Sequence, residues 1–251
     1  MKILFLGTGT STGVPEIACQ CAVCQSTDSR DKRLRTSVLV TDGEHNLLID
    51  CGPDFRQQML LYKVLNVDSI VLTHEHYDHV SGLDEVRPLL VAEVYAEERV
   101  LEVIKHNLPY IFNANPYPGA PQINLHEISN FDIPFQVRGF EVQPIRLLHY
   151  KLPILGYRVG NFAYLTDFSE IDEAECEKLK GLEVLVVDAL RQFPHHAHMM
   201  LSEALALVEK IKPKQAYFTH MSHDIGLHEE VQKLMPENVF FAWDGLELEV
   251  E

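Results

Sequence analysis

The sequence HEHYDH at residues 74–79 directly follows the β-branched, apolar run SIVLT at residues 69–73. Such a run predicts a buried strand, whose carboxyl end would deliver the first histidines into the crevice where α/β sheets bind ligands. Because side chains alternate along a strand, His74, His76 and Asp78 would start on one face, and a turn into a helix would bring His79 round to join them. Imidazoles and carboxylates at this spacing predict a metal site, in which one short segment could provide ligands for two ions.

Further residues with metal-binding side chains follow predicted strands in the second half of the chain. They are His149 after Ile145–Leu148, Asp167 after Tyr164–Thr166, and His220 after Tyr217–Thr219. Segments that end strands in this way converge at one edge of a sheet sandwich. Taken alone, Asp167 has a second interpretation as the N-cap of a helix. Together with HEHYDH, the three segments predict one metal centre.

The order of apolar runs and turn signals predicts an α/β fold. Two strands flank the turn DGEH at residues 42–45, and further strands are predicted at Phe140–Leu147, Leu155–Val159, Phe162–Thr166, Val184–Asp188 and Gln215–Thr219. Helices are predicted near Asp54–Leu65, Val80–Leu90, Glu97–Leu108, Asp172–Leu179 and Leu201–Ile211, and an irregular loop at Pro109–Gln122. Hairpins and strand–helix units in both halves indicate two sheets packed face to face with helices outside. We predict one domain over residues 1–251.

Composition narrows the functional class. The chain has 251 residues, 46% of them hydrophobic, and a formal net charge of −16 from 21 Lys plus Arg against 37 Asp plus Glu. This charge opposes long polyanions and argues against nucleic acid as a partner, but it leaves small anionic substrates open. No apolar run reaches the length of a membrane span, and MKILFLGTGTSTG lacks the pattern of a signal peptide. A cytoplasmic enzyme without membrane contact is the expectation.

The segment CQCAVC predicts a second metal site. Cys19, Cys21 and Cys24 fall within six residues, which suits the wrapping of one ion better than a pair of disulfides. His223, in the sequence THMSH, lies three residues after His220 and would complete a Cys3His zinc site. The alternative is that the three cysteines are buried or merely reactive.

The remaining histidines favour ordinary structural roles. His45, His106, His126 and His228 each stand apart from other ligand-type residues, and a lone histidine is usually hydrogen-bonded or solvated. A zincin motif, HExxH, is excluded because Asp78 stands where its second histidine would be.

The spacing HxHxDH, together with the later ligands, resembles the metallo-β-lactamase fold superfamily, and the resemblance covers about Lys2 to Leu248. It implies an αββα sandwich and a two-metal centre of Zn or Mn. One ion would be bound by His74, His76 and His149, the other by Asp78, His79 and His220, with Asp167 bridging. Asp50, in LLIDCG, lies where the family keeps a carboxylate that orients a ligand histidine.

Within the superfamily, CxCxxC combined with HxHxDH and THxSH resembles the phosphoribosyl cyclic phosphodiesterase group of the carbon–phosphorus lyase pathway. That group carries a histidine before a late helix, placed to protonate the leaving alkoxide. Here this position is His198, in FPHHAHMMLSEAL, and His195 and His196 compete for the role. The alternative is that this loop is only a solvated turn. The catalytic residues implied are His198, Asp78 and Asp167.

The predicted function is a dinuclear metal-dependent phosphodiesterase, acting on a small or cyclic phosphodiester through a metal-bridging hydroxide. Its cofactors would be two catalytic divalent ions and one structural zinc. This sequence departs from that group at Cys51, in the segment FSEID after Asp167, and at Arg191. A phosphodiester is therefore expected rather than one named cyclic sugar phosphate. The resemblance is also consistent with a homodimer.

Two other functions also agree with these motifs. One is a ribonuclease of the tRNA 3′-processing type, which shares HxHxDH, although no long basic arm is present and the net charge is −16. The other is a binding or carrier protein resembling the pyrroloquinoline quinone biosynthesis group, which also has an N-terminal cysteine cluster.

Overall fold

A computed structural model describes residues 1–251 and consists of two β-sheets with helices on their outer faces, which confirms the predicted fold class. The strands are, in chain order, Lys2–Gly7 (β1), Ser37–Thr41 (β2), Asn46–Ile49 (β3), Ser69–Val71 (β4), Ala92–Ala96 (β5), Ile123–Glu127 (β6), Phe135–Val137 (β7), Phe140–His149 (β8), Leu152–Val159 (β9), Phe162–Leu165 (β10), Glu170–Ile171 (β11), Val184–Asp188 (β12), Gln215–Thr219 (β13), Val239–Phe241 (β14) and Glu247–Glu249 (β15). The first sheet has the order β15-β1-β2-β3-β4-β5-β6. The second has the order β11-β8-β9-β10-β12-β13-β14, with β7 paired to β8.

The helices are short, and most lie between strands. They are Ala22–Gln25 (α1), Phe55–Tyr62 (α2), Tyr77–Val80 (α3), Glu98–Asn107 (α4), Pro109–Phe112 (α5), Glu173–Glu177 (α6), Leu201–Ile211 (α7) and His228–Gln232 (α8), with 3₁₀ turns at Ser29–Asp31, Ser81–Val86 and His223–Ile225. None of them combines the length and the apolar character that crossing a lipid bilayer requires.

Alternating side chains build the layers. In β12, Val184 and Val186 pack between the two sheets, whereas Leu185 and Val187 pack under the helices of the second sheet. The same period of two places Val38 and Val40 of β2 between the sheets. An apolar cluster on the other face of the first sheet holds α2 and α4. Three apolar layers therefore separate the helix, sheet, sheet and helix layers of an αββα sandwich.

Two sequence predictions of local structure were wrong. The helix predicted at Val80–Leu90 is a 3₁₀ turn at Ser81–Val86, which follows the four-residue helix α3. Gly82 explains this, because glycine disfavours a helix and here packs directly on the backbone of Gly52. The loop predicted at Pro109–Gln122 begins with α5, whose Pro109 occupies a first-turn position that needs no backbone N–H donor.

Strand direction positions the functional residues. In the first sheet β3 and β4 are parallel, and in the second sheet β10, β12 and β13 are parallel. β8 runs antiparallel to β9, and β9 antiparallel to β10, so β8 shares their direction. The carboxyl ends of these strands lie at one edge, where the ligand-type residues follow them.

Candidate metal centre

Asp50 and Thr73 hold the first two imidazoles in place. Asp50, at the end of β3, is fully buried and accepts hydrogen bonds from His79 Nδ1 at 2.8 Å and from the Thr73 hydroxyl at 2.9 Å. Because that hydroxyl donates its proton to Asp50, His74 Nδ1 donates to Thr73 Oγ1, at 2.9 Å. Both histidines are thereby fixed with Nε2 as the free acceptor. Thr73 was missed by the sequence analysis.

The turn from β4 into α3 brings the rest of HEHYDH to the same place. His76 precedes the helix, and Asp78 and His79 lie in its first turn, both buried. Gly52 makes this possible, because a Cβ atom at that position would collide with the carbonyl oxygen of Asp78. The strand-like alternation of side chains that the sequence predicted for His74, His76 and Asp78 therefore ends at His76. Asp78 reaches the centre from the helix, together with His79.

Asp167 and His220 reach this group from the second sheet. His79 Nε2 lies 3.2 Å from Asp78 Oδ2 and 3.4 Å from Asp167 Oδ2. His220 Nε2 lies 2.6 Å from Asp167 Oδ1, in a contact without hydrogen-bond geometry, and 3.6 Å from Asp78 Oδ2. The structure thus brings Asp78, His79, Asp167 and His220 within ligand distance of one another.

Three residues of this site have an uncommon backbone conformation. Asp50, Asp167 and His220 have φ angles of 64°, 57° and 57°, in the left-handed region that non-glycine residues seldom adopt. Each follows a strand, so the left-handed turn swings its side chain out of the strand direction toward the shared edge. Strain of this kind concentrates at functional sites.

His74, His76 and His149 form the other side of the centre. His74 Nε2 lies 3.6 Å from Asp167 Oδ2, and His74, His76 and Asp167 lie within ligand distance of one another. His149, the last residue of β8, stands slightly apart, with its ring centroid 5.0 Å from that of His76 and 5.7 Å from that of His74. His149 Nδ1 donates to the carbonyl of Ala197 at 3.0 Å, which leaves Nε2 free, and His149 lies within ligand distance of Asp167 and His198.

These residues fit metal ions. His74, His79 and His220 present buried Nε2 atoms without a hydrogen-bond partner, an arrangement that costs free energy unless a ligand occupies the centre. Ligand atoms about 2.1 Å from an ion at tetrahedral angles lie about 3.4 Å apart. The separations of 3.2, 3.4 and 3.6 Å lie near that value, and the 2.6 Å between His220 Nε2 and Asp167 Oδ1 is shorter. The structure therefore supports two sets of ligands that share Asp167.

Proximity and burial shift the titration of these groups. Burial by itself raises the pKa of Asp167, but His220 and His79 outweigh it and hold the pKa well below its ordinary value. Burial lowers the pKa of His220, but Asp167 outweighs it and raises the value to about 10. For His74, burial and the neighbouring His79 both lower the pKa well below the ordinary value. The carboxylates thus stay ionised and attract cations.

His198 lies at the rim of the centre. Its Nδ1 donates to Asp188 Oδ2 at 3.1 Å, and its ring stacks on His220 with centroids 5.0 Å apart. Asp188 is fully buried at the end of β12, and burial raises its pKa, although His198 opposes the shift. The sequence analysis identified this strand but missed Asp188, whose signal was a carboxylate at a strand end, as at the other ligand positions.

The competing histidines of the same loop are placed farther out. The ring of His195 is 5.0 Å from that of His198, and its Nδ1 accepts a hydrogen bond from the backbone N–H of Ala197. Burial lowers the pKa of His195 to about 4. His196 is exposed and contacts Tyr150 edge to face. Of the three histidines, His198 is the one that contacts the ligand groups through His149 and His220.

The cysteine cluster and His223 form a separate group. His223 Nδ1 lies 3.2 Å from the sulfur of Cys19, 3.7 Å from that of Cys21 and 3.4 Å from that of Cys24. A tetrahedral zinc ion with bonds of about 2.3 Å to sulfur and about 2.1 Å to nitrogen would set these distances near about 3.6 Å. None of the five cysteines forms a disulfide. The arrangement fits the predicted Cys3His site.

Local hydrogen bonds favour a thiolate in this cluster. The backbone N–H of Cys24 donates to Cys21 Sγ at 3.4 Å and lowers the pKa of the Cys21 thiol to about 7. Burial raises the pKa of Cys24 to about 11, and the N–H of Glu16 donates to its sulfur. A bound cation would deprotonate all three thiols, since a coordinating thiol loses its proton.

Four further histidines stand apart from both clusters and from the loop of residues 195–198. His126 pairs with Glu93 at 2.5 Å, His45 lies 3.4 Å from Asp42, and His106 is exposed on α4. His228 is buried beside Arg33, whose Nη2 donates to His228 Nδ1 at 3.5 Å. These positions are those of ordinary hydrogen-bonded or solvated histidines.

Comparison with known proteins identifies the family. Residues 45–221, which include the two ligand groups of the metal centre, match the model of the β-lactamase superfamily domain. The protein belongs to the β-lactamase superfamily. Its αββα sandwich is the metallo-β-lactamase fold, and the match confirms the resemblance drawn from HxHxDH. The family model and the cluster of histidines and aspartates together support a metal-dependent hydrolase domain.

Individual relatives refine this superfamily assignment. The protein is similar to a diphosphatase from the PhnP family, whose crystal structure superposes on it with a TM-score of 0.93. The two chains share 42% sequence identity, and the match covers 100% of this chain and 98% of the other. Zn²⁺-bound PqqB from Methylobacterium extorquens has a TM-score of 0.81 over 100% of both chains, but 20% identity, so the likeness is one of fold.

An octanoyltransferase from Porphyromonas gingivalis is 44% identical over 98% of this chain and 51% of its own length. The chain thus spans about half the length of the curated relatives that it matches.

Proposed function

We propose that this superfamily member is a dinuclear metal-dependent phosphodiesterase that hydrolyses a small or cyclic phosphodiester. One observation carries the proposal: a buried cluster of histidines and aspartates has a histidine at its rim, held by a buried carboxylate. Such an arrangement combines electrostatic stabilisation with a proton donor, which is what cleavage of a P–O bond requires. The 42% identity to a diphosphatase supports phosphoryl chemistry.

Two divalent ions would share Asp167. One would be bound by His74, His76 and His149, the other by Asp78, His79 and His220. Bound there, the ions would lower the pKa of a shared water and offset the negative charge of the phosphoryl oxygens. Zn and Mn both accept such a set of ligands. A third ion, a structural zinc, would be bound by the cysteine cluster and His223.

The residues of the chain would contribute orientation and a proton. Asp50, Thr73 and the carbonyl of Ala197 fix the ring orientation of His79, His74 and His149, respectively. Asp188 accepts a hydrogen bond from His198 Nδ1, so the protonated ring would present its second N–H, at Nε2, and give that proton to the leaving oxygen. The carboxylate of Asp188 would thereby orient and stabilise the protonated ring of the proposed acid.

The test is a substrate profile of purified protein whose metal content has been measured. The panel contains cyclic nucleotides, cyclic sugar phosphates, linear diesters, a diphosphate and an acyl thioester, the last because one relative is an octanoyltransferase. We expect turnover of at least one phosphodiester and about three metal ions per chain, one of which survives mild chelation. A protein that binds about one ion and hydrolyses no panel member would instead support a carrier.

A further inference from the structure

Arg99 contacts two segments that carry ligands of the metal centre. It lies in the first turn of α4, and its guanidinium forms an ion pair with Glu75 Oε1. Arg99 Nη2 also donates to the carbonyl oxygen of Pro153 at 2.6 Å and lies 3.3 Å from Glu97 Oε2. Arg99, in the first half of the chain, is thus hydrogen-bonded to the β8–β9 hairpin in the second half.

These two contacts flank three ligand histidines. Glu75 stands between His74 and His76 in the chain. Pro153 pairs with Leu148 in the β8–β9 ladder, next to His149. The guanidinium therefore joins the segment that carries His74 and His76 to the hairpin that carries His149, which are the three imidazoles of one proposed ion.

Hydrogen bonds already join the two segments at their inner ends. The N–H of Leu155 donates to the carbonyl of Thr73 at 3.0 Å, and the hydroxyl of Tyr157 donates to that of Leu72 at 2.5 Å. At the outer end, where the rings of His76 and His149 lie 5.0 Å apart, no backbone hydrogen bond connects the segments. The His76 ring is exposed and has no hydrogen bond of its own. Arg99 supplies the connection at this end.

The charges in this region depend on the guanidinium. The side chains of Glu75 and Glu97 are only 18% and 23% exposed, and both contact Arg99. Without Arg99, two partly buried carboxylates would repel each other and move toward solvent. Because Glu75 is adjacent to both His74 and His76, such a movement would displace these ligands. A displacement of about 1 Å is enough to spoil a metal site.

We propose that Arg99 is a positioning residue that sets the separation between His76 and His149 and so tunes the ion bound on that side of the centre. The role rests on the proposed two-metal function. It predicts a selective effect: the ion held by His74, His76 and His149 should bind more weakly without Arg99. The ion held by Asp78, His79 and His220 should be unaffected, because its ligands lie on the other side of Asp167.

Cobalt titration of metal-depleted protein tests this proposal. The d–d absorption of Co²⁺ should show two binding phases for the two-metal centre, and the thiolate charge-transfer band reports the cysteine cluster as an internal control. In Arg99→Ala, we expect one d–d phase to weaken about 10- to 100-fold, with the other phase and the charge-transfer band unchanged. Arg99→Lys should give an intermediate affinity, since an ammonium ion lacks the planar fork that reaches Glu75 and Pro153 together.

Two further variants keep the result interpretable. Arg87→Ala, which removes an exposed ion pair with Asp84, should leave both phases unchanged. Glu75→Gln, which preserves size, should lower the cobalt affinity of the same phase as Arg99→Ala does. It provides this test even if Arg99→Ala folds poorly. A uniform change in both phases and in the charge-transfer band, or no change in either phase, would overturn the proposal. Cobalt binding needs no substrate, so an inactive wild type would refute the phosphodiesterase and leave this test intact.

Discussion

His220 and His223 stand three residues apart after β13, yet their imidazoles contact different ligand groups. His220 Nε2 lies 2.6 Å from Asp167 Oδ1, whereas His223 Nδ1 lies 3.2 Å from Cys19 Sγ. Between them, Met221 exchanges backbone hydrogen bonds with Thr8 and Thr10 of the N-terminal loop. One short segment, anchored to the N-terminal loop, therefore carries a side chain of each ligand group.

Cys24→Ser should remove the structural zinc and disturb the catalytic side. We expect the loss of about one zinc ion per chain, a lower melting temperature and reduced turnover, because His223 loses its anchor. Metal analysis, differential scanning calorimetry and the phosphodiester assay provide the readouts. Cys176→Ser is the matched control, since Cys176 is also buried but lies in α6, away from the cluster. Unchanged zinc content in Cys24→Ser would contradict the assignment.

Asp167→Ala should reduce turnover of a chromogenic phosphodiester at least about 1,000-fold, because loss of a shared ligand removes several kcal/mol of charge stabilisation. The same variant should bind fewer metal ions. Asp172→Asn, five residues later and exposed before α6, serves as the control and should keep wild-type activity. Normal activity in a metal-poor Asp167→Ala protein would refute the two-metal proposal.

His198→Gln should slow the hydrolysis of diesters with alkyl leaving groups by about 100- to 10,000-fold, since an alkoxide needs a proton as it departs. With a 4-nitrophenyl leaving group, which departs readily as an anion, the effect should be small. Asp188→Asn should slow the alkyl diester more than the 4-nitrophenyl diester, as His198→Gln does, because a neutral amide oxygen replaces the charged acceptor that holds His198. His196→Gln is the control from the same loop. Equal losses on both substrates in His198→Gln would exclude a proton-donating role.

His228 should make stability depend on pH. Burial, with help from Arg33, lowers its pKa to about 4, below the value of about 6.5 in an unfolded chain. Between these values the unfolded state binds the extra proton, so the free energy of unfolding should rise with pH up to about 6.5 and fall as the pH drops toward 4.

We expect His228→Gln to remove about 1–3 kcal/mol of this pH dependence. Chemical denaturation at several pH values measures it, and the difference between wild type and variant cancels the contribution of metal ions. His106→Gln, at an exposed position, should leave the slope unchanged. Parallel curves for wild type and His228→Gln would show that His228 is not held neutral.

Periodicity predicted the long elements well. The strands Val184–Asp188 and Gln215–Thr219 and the helix Leu201–Ile211 have the predicted bounds, because each presents a full apolar face to a sheet layer. Short edge strands such as β11 and β15 were missed, since two or three residues carry too little pattern and pair only when a neighbouring strand is in place. The 3₁₀ turn at Ser81–Val86 depends on the packing of Gly82 against Gly52, which is a tertiary contact.

The sequence by itself determined the fold class and the chemical types of the ligands, because apolar periodicity and the local spacing of HEHYDH and CQCAVC are properties of short segments. Only the tertiary structure decided which atoms meet. Asp50 and Asp188 select the nitrogens that His79 and His198 present, and Arg99 joins two ligand segments, through contacts between residues far apart in the chain. Such contacts depend on how strand ends and helices pack against one another, and no local pattern in the sequence encodes that geometry.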